Sequence, residues 1–253
     1  MSGLDPRLLL RGYAAGIFPM ADSRDAGDIF WVEPRSRAIL PLDRFHLSRS
    51  LARRVRSRRF EVTVDRAFGE VLAACARRDE TWINEQIERA TLGLHAAGNA
   101  HSIETWRDGK LAGGLYGVKL GGAFFGESMF SSETDASKVA LAWLVARLKV
   151  GGYSLLDCQF MTGHLASLGA VTVPRELYAQ LLASALGSGA GTSTAGAGAS
   201  TTSGRATSPA DFFALDVLLA ELEAVGGTGL SSDAAGAPGA PGQLIVQLLG
   251  HTS

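Results

Sequence analysis

The chain has 253 residues, 46% of them hydrophobic, and a net charge of −1. That length suits one large domain, or a small domain joined to a medium one, and the near-zero charge excludes a polycation, so any nucleic-acid surface must be local. Charged residues, at 19%, fall below the usual quarter, and most of the excess among the 31 glycines sits near the C-terminus.

Asp5-Pro6 opens a short helix, with Leu8, Leu9 and Tyr13 spaced as a buried face, and Gly16 ends it. The three leucines before Arg11 are too short a run for a signal peptide, and no apolar stretch approaches the roughly 18 residues of a membrane span. Residues 22–28 are polar and predict a loop. IFWV (29–32) and AILPL (38–42) predict two short strands around a Glu33-Pro34-Arg35 turn, completing a small N-terminal domain over 1–43.

The main body is expected over 44–186. Ser48 is a plausible cap for a helix carrying Leu51 and Val55, and FEVTVD (60–65) alternates as a strand should. Helices follow at about 66–78 and 82–97. Three strand runs come next, HSIETWR, LAGGLYGVKL and AFFGESMF, with tight turns at Asp108-Gly109 and Gly121-Gly122. A helix from about Asp135 to Val150 stops at Gly151-Gly152. YSLLDCQF is a strand, followed by a short helix near Gly163–Leu168, a strand at VTVP and a helix from Arg175 to Leu186. This order predicts an α+β fold, the small N-terminal domain followed by a GNAT-like (N-acetyltransferase-like) domain.

The stretch 187–208 is low-complexity and nearly free of large apolar residues, as a flexible linker is. In the C-terminal extension, 209–253, Ser208-Pro209 precedes an amphipathic helix, and a second Gly/Ala/Pro stretch leads to QLIVQLLGHTS. Two such apolar pieces should dock on the main body. Cys75 and Cys158 have no CxxC spacing, which argues against a disulfide framework and a zinc site, and for a reducing compartment.

Two clusters carry chemistry. Asp157 and Gln159 stand at i and i+2 on a strand, so both should project from one face, where a carboxylate and an amide could orient a nucleophile. A neutral amide is a poor base, which favours orientation over proton abstraction. The plainer reading is a strand end with an ordinary polar residue. Glu127 sits inside the apolar run FFGESMF, where a carboxylate needs a partner. It suits a cationic ligand, or else a structural ion pair with Lys138 or an arginine, and Gly126 could mark a bulge that re-aims it. Separately, Arg49, Arg53, Arg54, Arg56, Arg58 and Arg59 form a run with no interleaved acid. Such a run is either a solvated helix face or a contact for RNA phosphates.

Ten short segments in order carry a resemblance: YAAGIFPM, WVEPRSRAILP, FHLSRSL, TWI, AHSIETW, GGLYGV, FFGESMFS, DASKVAL, LLDCQF and HLASLGA. Together, from about Leu4 to Leu182, they resemble the leucyl/phenylalanyl-tRNA–protein transferase family. The low-complexity stretch departs from its pattern. The resemblance implies an enzyme of the N-degron protein degradation pathway that moves Leu or Phe, with Met a further candidate, from aminoacyl-tRNA to proteins beginning with Lys or Arg. It implies Gln159 as the central catalytic residue with Asp157 polarising it. Glu127 would contact the substrate, Leu115, Phe124 and Leu141 would form the aminoacyl pocket, and Trp82 and Trp31 would lie nearby. The arginine run would then meet tRNA. No further cofactor or metal, a cytoplasmic location and a monomer are the matching expectations.

Two other functions compete. A CoA-dependent N-acetyltransferase of the same fold would need a glycine-rich pyrophosphate loop where this chain reads SMFSSETDASK. A non-catalytic RNA-binding module would explain the arginines but not the Asp157/Gln159 pair.

Overall fold

The computed structural model describes residues 3–78, 80–187, 209–226 and 241–250. The linker expected at 187–208 falls, but for Gly187, outside them. Helix α1 (Pro6–Ala14) is capped by Asp5, whose carboxylate accepts from the Arg7 N–H, and carries Pro6 in its first turn. Strands β1 (Phe18–Met20) and β2 (Phe30–Val32) pair antiparallel as a small ribbon.

Strand β3 (Ser36–Ile39) leaves that ribbon. The two strands expected about Glu33-Pro34-Arg35 both form, but not as one unit: β3 pairs antiparallel with β8 (Leu155–Gln159) and β9 (Val171–Pro174) in the main sheet. The cause is burial, since Arg37, Ala38 and Ile39 are covered from both sides, which a two-stranded ribbon cannot provide.

The remaining elements follow the expected order. Helix α2 (Arg49–Arg56) starts at Ser48, whose hydroxyl accepts from the Leu51 N–H. Strand β4 (Glu61–Val64) and helices α3 (Phe68–Ala76) and α4 (Glu85–Ala96) lead to the meander β5 (Ala100–Arg107), β6 (Lys110–Leu120) and β7 (Ala123–Ser131). Asp108 and Gly109 both have positive φ in the first of its turns, as a type I′ hairpin requires. Helix α5 (Ala136–Val150) crosses to β8, and the short α6 (Gly163–Ser167) and α7 (Arg175–Gly187) flank β9.

The seven-stranded sheet has the order β4-β5-β6-β7-β8-β3-β9, antiparallel except for the central β7–β8 pair. It is a mixed sheet with helices on both faces. One face packs against α2 and α5, and residues of the C-terminal helices α8 (Ala214–Gly226) and α9 (Pro241–Gly250) enter that core through Leu215, Ile245 and Leu249. The other face packs against α1, α3, α4 and α7. No helix among the described residues is long and apolar enough to cross a membrane.

Candidate active site

The parallel pairing of β7 with β8 is short, running only from Ala123↔Leu155 to Phe125↔Asp157. Each strand carries a bulge just beyond. On β7, Gly117 faces Gly126 and Tyr116 faces Ser128, which leaves Glu127 as the extra residue. On β8, Ala38 faces Gln159 and Ile39 faces Asp157, which leaves Cys158 as the extra residue. A bulge kinks its strand and re-aims the side chain there, and two of them where pairing ends open the sheet. Gly126 contributes by lacking a side chain: a Cβ there would lie 3.3 Å from the Asp157 carbonyl.

A cavity of about 160 Å³ occupies this opening. Leu115, Leu141, Leu144, Leu156 and Leu165 line it from the α5 face, and Tyr116, Trp82 and Arg78 from the other side. Glu127 and Cys158 reach it as well. An engineered apolar cavity of roughly this size, about 150 Å³, holds benzene, so the space fits one branched-aliphatic or benzyl side chain.

Glu127 is half-buried and pairs with no cation among the described residues. The alternative ion pair with Lys138 is not formed, because Lys138 reaches Asp135 instead, at 3.4 Å. Gln159 Nε2 donates to Glu127 Oε1 at 2.8 Å, and the Tyr13 hydroxyl donates to the same carboxyl. Burial pushes the Glu127 carboxyl up to about 7. The Tyr13 and Gln159 hydrogen bonds and the Arg37 charge pull it down, whereas the Asp157 charge pushes it further up.

Asp157 behaves differently from the expectation. It is fully buried, faces away from the cavity, and accepts three side-chain bonds from Arg37 at 2.7–3.0 Å and one from the Tyr178 hydroxyl at 2.8 Å. Its neighbours Leu156 and Cys158 line the cavity instead. Asp157 does meet Gln159, but through the backbone: Oδ1 accepts the Gln159 N–H at 2.8 Å, with Gln159 held at φ 61°. The strand period therefore fails at this point, because the bulge and the left-handed residue turn Gln159 toward Glu127.

Other expected positions divide. Leu115, Leu141 and Trp82 line the cavity. Phe124 does not: it is fully buried deeper in the same face and stacks on Phe212 at 5.6 Å. Trp31 does not either, because its ring packs on Gly12 of α1. The arginine run lies on α2 and the turn after it, yet it is not free of acids in space. Arg54 reaches Asp135 at 3.6 Å and Arg59 reaches Glu133 at 3.1 Å, whereas Arg49, Arg53, Arg56 and Arg58 are exposed. Sequence reading missed Arg37, Tyr13, Tyr178 and Arg78. Arg37 gave no signal, since one arginine in SRAILP reads as a solvated edge residue.

Comparison with known proteins gives one consistent result. The sequence profile described as leucyl/phenylalanyl-tRNA protein transferase matches residues 39–183, and that of the N-terminal domain of the same family matches residues 3–35. A leucyl/phenylalanyl-tRNA--protein transferase of Rhizorhabdus wittichii is 58% identical over 257 residues, spanning all of both chains. One from Zymomonas mobilis is 61% identical over 73% of this chain and 70% of its own. Among solved structures, the crystal structure of FemX superposes with a TM-score of 0.44 at 14% identity over 66% of each chain, a likeness too loose to establish a shared fold. On the profile matches and the full-length identity, the chain belongs to the leucyl/phenylalanyl-tRNA protein transferase family.

Proposed function

We propose that this protein transfers leucine or phenylalanine, and methionine as a further donor, from aminoacyl-tRNA to the N-terminal α-amine of proteins beginning with Lys or Arg. The observation that carries this reading is an apolar cavity sized for one such side chain, with the Glu127 carboxyl in its wall held from behind by the Gln159 amide. The parallel β7–β8 pair that parts beyond its third residue pair supports a GNAT-like arrangement, in which acyl donor and amine meet in the gap between strands. The reading places the reaction beside charged tRNA in the cytoplasm, as a step of the N-degron pathway.

The donor is an activated ester, so the enzyme mainly has to bring ester and amine together. The side chain enters the leucine-lined space. Polar side chains are rejected by the cost of desolvating them, while apolar ones differ by only about 1–3 kcal/mol per methylene. The acceptor α-amine titrates near 8, so a neutral fraction exists at physiological pH. Its nitrogen bonds to the carbonyl carbon, the carbon–oxygen ester bond breaks, and the ribose oxygen leaves with a proton. Glu127, whose carboxyl is raised to about 7, is suited in its ionised form to attract the cationic acceptor, to take the proton the nitrogen sheds and to pass it to the leaving ribose oxygen. Gln159 keeps the Glu127 carboxyl oriented.

The test is incubation with radiolabelled Leu-tRNA and a peptide starting with arginine. Label is expected on the peptide, and none on the same peptide with its α-amine acetylated. A wild-type preparation that binds the tRNA but leaves both peptides unlabelled would overturn the reading.

A further inference from the structure

The Gln159–Glu127 hydrogen bond has two supports, and one side chain reaches the first directly and the second through the turn that ends α1. Gln159 is held through its backbone N–H, which donates to Asp157 Oδ1 at 2.8 Å. Glu127 is held partly by Tyr13, on the last turn of α1. Arg37 forks the first support: Nε lies 3.0 Å from both Asp157 oxygens and one terminal nitrogen lies 2.7 Å from Oδ2. Its other terminal nitrogen donates to the Gly16 carbonyl at 3.1 Å, in the turn that ends α1, where the Gly16 N–H donates to the Tyr13 carbonyl at 3.0 Å. All three guanidinium nitrogens are thus occupied.

The guanidinium itself cannot wander. It is 1% exposed and lies between two rings, 4.5 Å from the Phe18 centroid and 4.7 Å from the Tyr178 centroid. The Tyr178 hydroxyl completes the shell of Asp157 Oδ2. A lone buried ion pair is weak evidence for stability, and an arrangement this complete does more than hold β3 to β8. A residue at φ 61° other than glycine also needs its surroundings to keep it there, and Asp157 supplies the acceptor that does so.

Building on the transfer reading above, we infer that Arg37 is the positioning residue of the reaction, fixing Gln159 through Asp157 and Tyr13 through Gly16 so that amide and carboxyl meet at the cavity. It touches no substrate. Asp157 on this account is the connector between Arg37 and Gln159, its carboxylate engaged on both oxygens.

The informative variant is Arg37→Lys, which keeps the charge and loses the fork. Turnover should fall about 10-fold or more, with KM for charged tRNA and for the acceptor peptide within about twofold of wild type. The pH profile should move too. The Gln159 bond favours the ionised carboxylate, so a slack Gln159 lets the Glu127 pKa rise, and the acid limb of kcat/KM shifts upward. Among the described residues, the charged and titratable groups around Glu127 are Tyr13 from α1, Tyr116 from β6, Asp157 and Cys158 from β8, Arg37 from β3, and Arg78 beyond α3. Only the Arg37 group changes in the variant, and its charge is retained.

Tyr178→Phe, which removes one hydroxyl from Asp157 and no charge, should show a smaller fall and the same direction of pH shift. It serves where Arg37→Lys does not fold. A readout independent of transfer is hydrogen exchange at the Gln159 backbone amide, slow in wild type and faster in either variant. If wild type moves no label, the transfer reading fails while the exchange comparison still decides the positioning role. Folded variants with wild-type turnover, pH limb and Gln159 exchange would overturn it.

Discussion

Two buried arginines serve this molecule, and they differ most in the aspartate each one holds. Arg37 and Arg147 are each 1% exposed, fork an aspartate and lie over an aromatic ring. Arg37 joins β3 to β8 beneath the cavity. Arg147, on α5, meets Asp216 of α8 at 2.5 and 2.7 Å and donates to the Phe212 carbonyl at 2.7 Å, fastening the C-terminal segment over the core. The aspartates set them apart: Asp157 is 0% exposed, whereas the Asp216 side chain is 45% exposed. A pair sealed at both ends fixes a geometry. A pair open at its acid end can exchange its partner for water, so it holds a segment down without fixing reacting groups.

The sealed pair should give the largest effect when broken. Asp157→Ala leaves Arg37 buried without a counter-charge, which costs about 3–5 kcal/mol of stability, and it frees the Gln159 N–H. Transfer should drop about 10²-fold or more, the penalty expected when reacting groups slip by about 1 Å, with tRNA binding little changed. Denaturant unfolding beside a single-turnover assay checks both. Near-normal turnover in the folded variant would remove Asp157 from the machinery.

Glu127 sharpens the comparison because it lacks what the two aspartates have, an arginine partner. kcat/KM should fall as pH drops through about 7, where the carboxyl takes a proton. Glu127→Gln should remove that contribution, leaving the shallower fall set by the acceptor amine near 8, along with about 10²-fold of the rate. Stability should move the other way. The native pKa is raised above the ordinary 4.5, so the folded state binds more protons than the unfolded one between about 4.5 and 7, and the wild type loses stability as pH rises through that window. Glu127→Gln should therefore melt higher than wild type at pH 8 and show no such advantage at pH 4. Equal melting temperatures at pH 8 would mean the carboxyl is not strained by its site.

Local chemistry is what the sequence made legible. Ser48 as a cap, Asp108-Gly109 as a turn and the order of elements from β4 to α7 each depend on a few neighbouring residues. The bulge at Gly126-Glu127 was readable for the same reason, as a glycine beside a carboxylate within an apolar strand. What stayed hidden depends on residues far apart in the chain. β3 sits between β8 and β9, partners more than a hundred residues away in the chain, and no local pattern encodes that choice. Arg37 becomes informative only once Asp157 is seen against it. Phe124 reads as a pocket residue in the sequence, yet its ring lies on Gly117 and stacks on Phe212 from the C-terminal segment, which makes it core.

Breaking the open pair should cost less and spare the chemistry. Arg147→Ala removes two bonds to a carboxylate and one to a carbonyl, yet Asp216 can turn to water, so a loss of about 1–3 kcal/mol is expected. Transfer by the folded protein should stay near wild type, while protease should cut residues 209–226 faster. A tenfold loss of turnover would show that the C-terminal segment reaches the site after all.

The arginine run on α2 and the turn after it sets the opposite extreme, where most of the cations are exposed and their worth lies in counterions rather than in geometry. Their positions divide them. Arg54 and Arg59 lean on Asp135 and Glu133, and Glu133 also takes Arg107 at 2.6 Å, so those two are engaged within the protein. Arg53 and Arg56 are exposed, with no acidic partner among the described residues. If they meet phosphates, replacing both with Ala should weaken tRNA binding a few-fold whatever amino acid it carries. It should also flatten the salt dependence by about one unit for each phosphate left unmet, somewhat less on a frayed acceptor end. Arg54→Ala should leave the slope nearly unchanged, because its guanidinium is already turned to Asp135, and Asp135→Asn should tighten binding slightly by releasing it. Turnover at saturating charged tRNA should not change in any of the three, since none of these side chains lines the cavity. Salt-titrated binding decides the matter: a slope unmoved by the Arg53/Arg56 double replacement would reduce the run to a solvated helix face and send the search for the tRNA surface elsewhere.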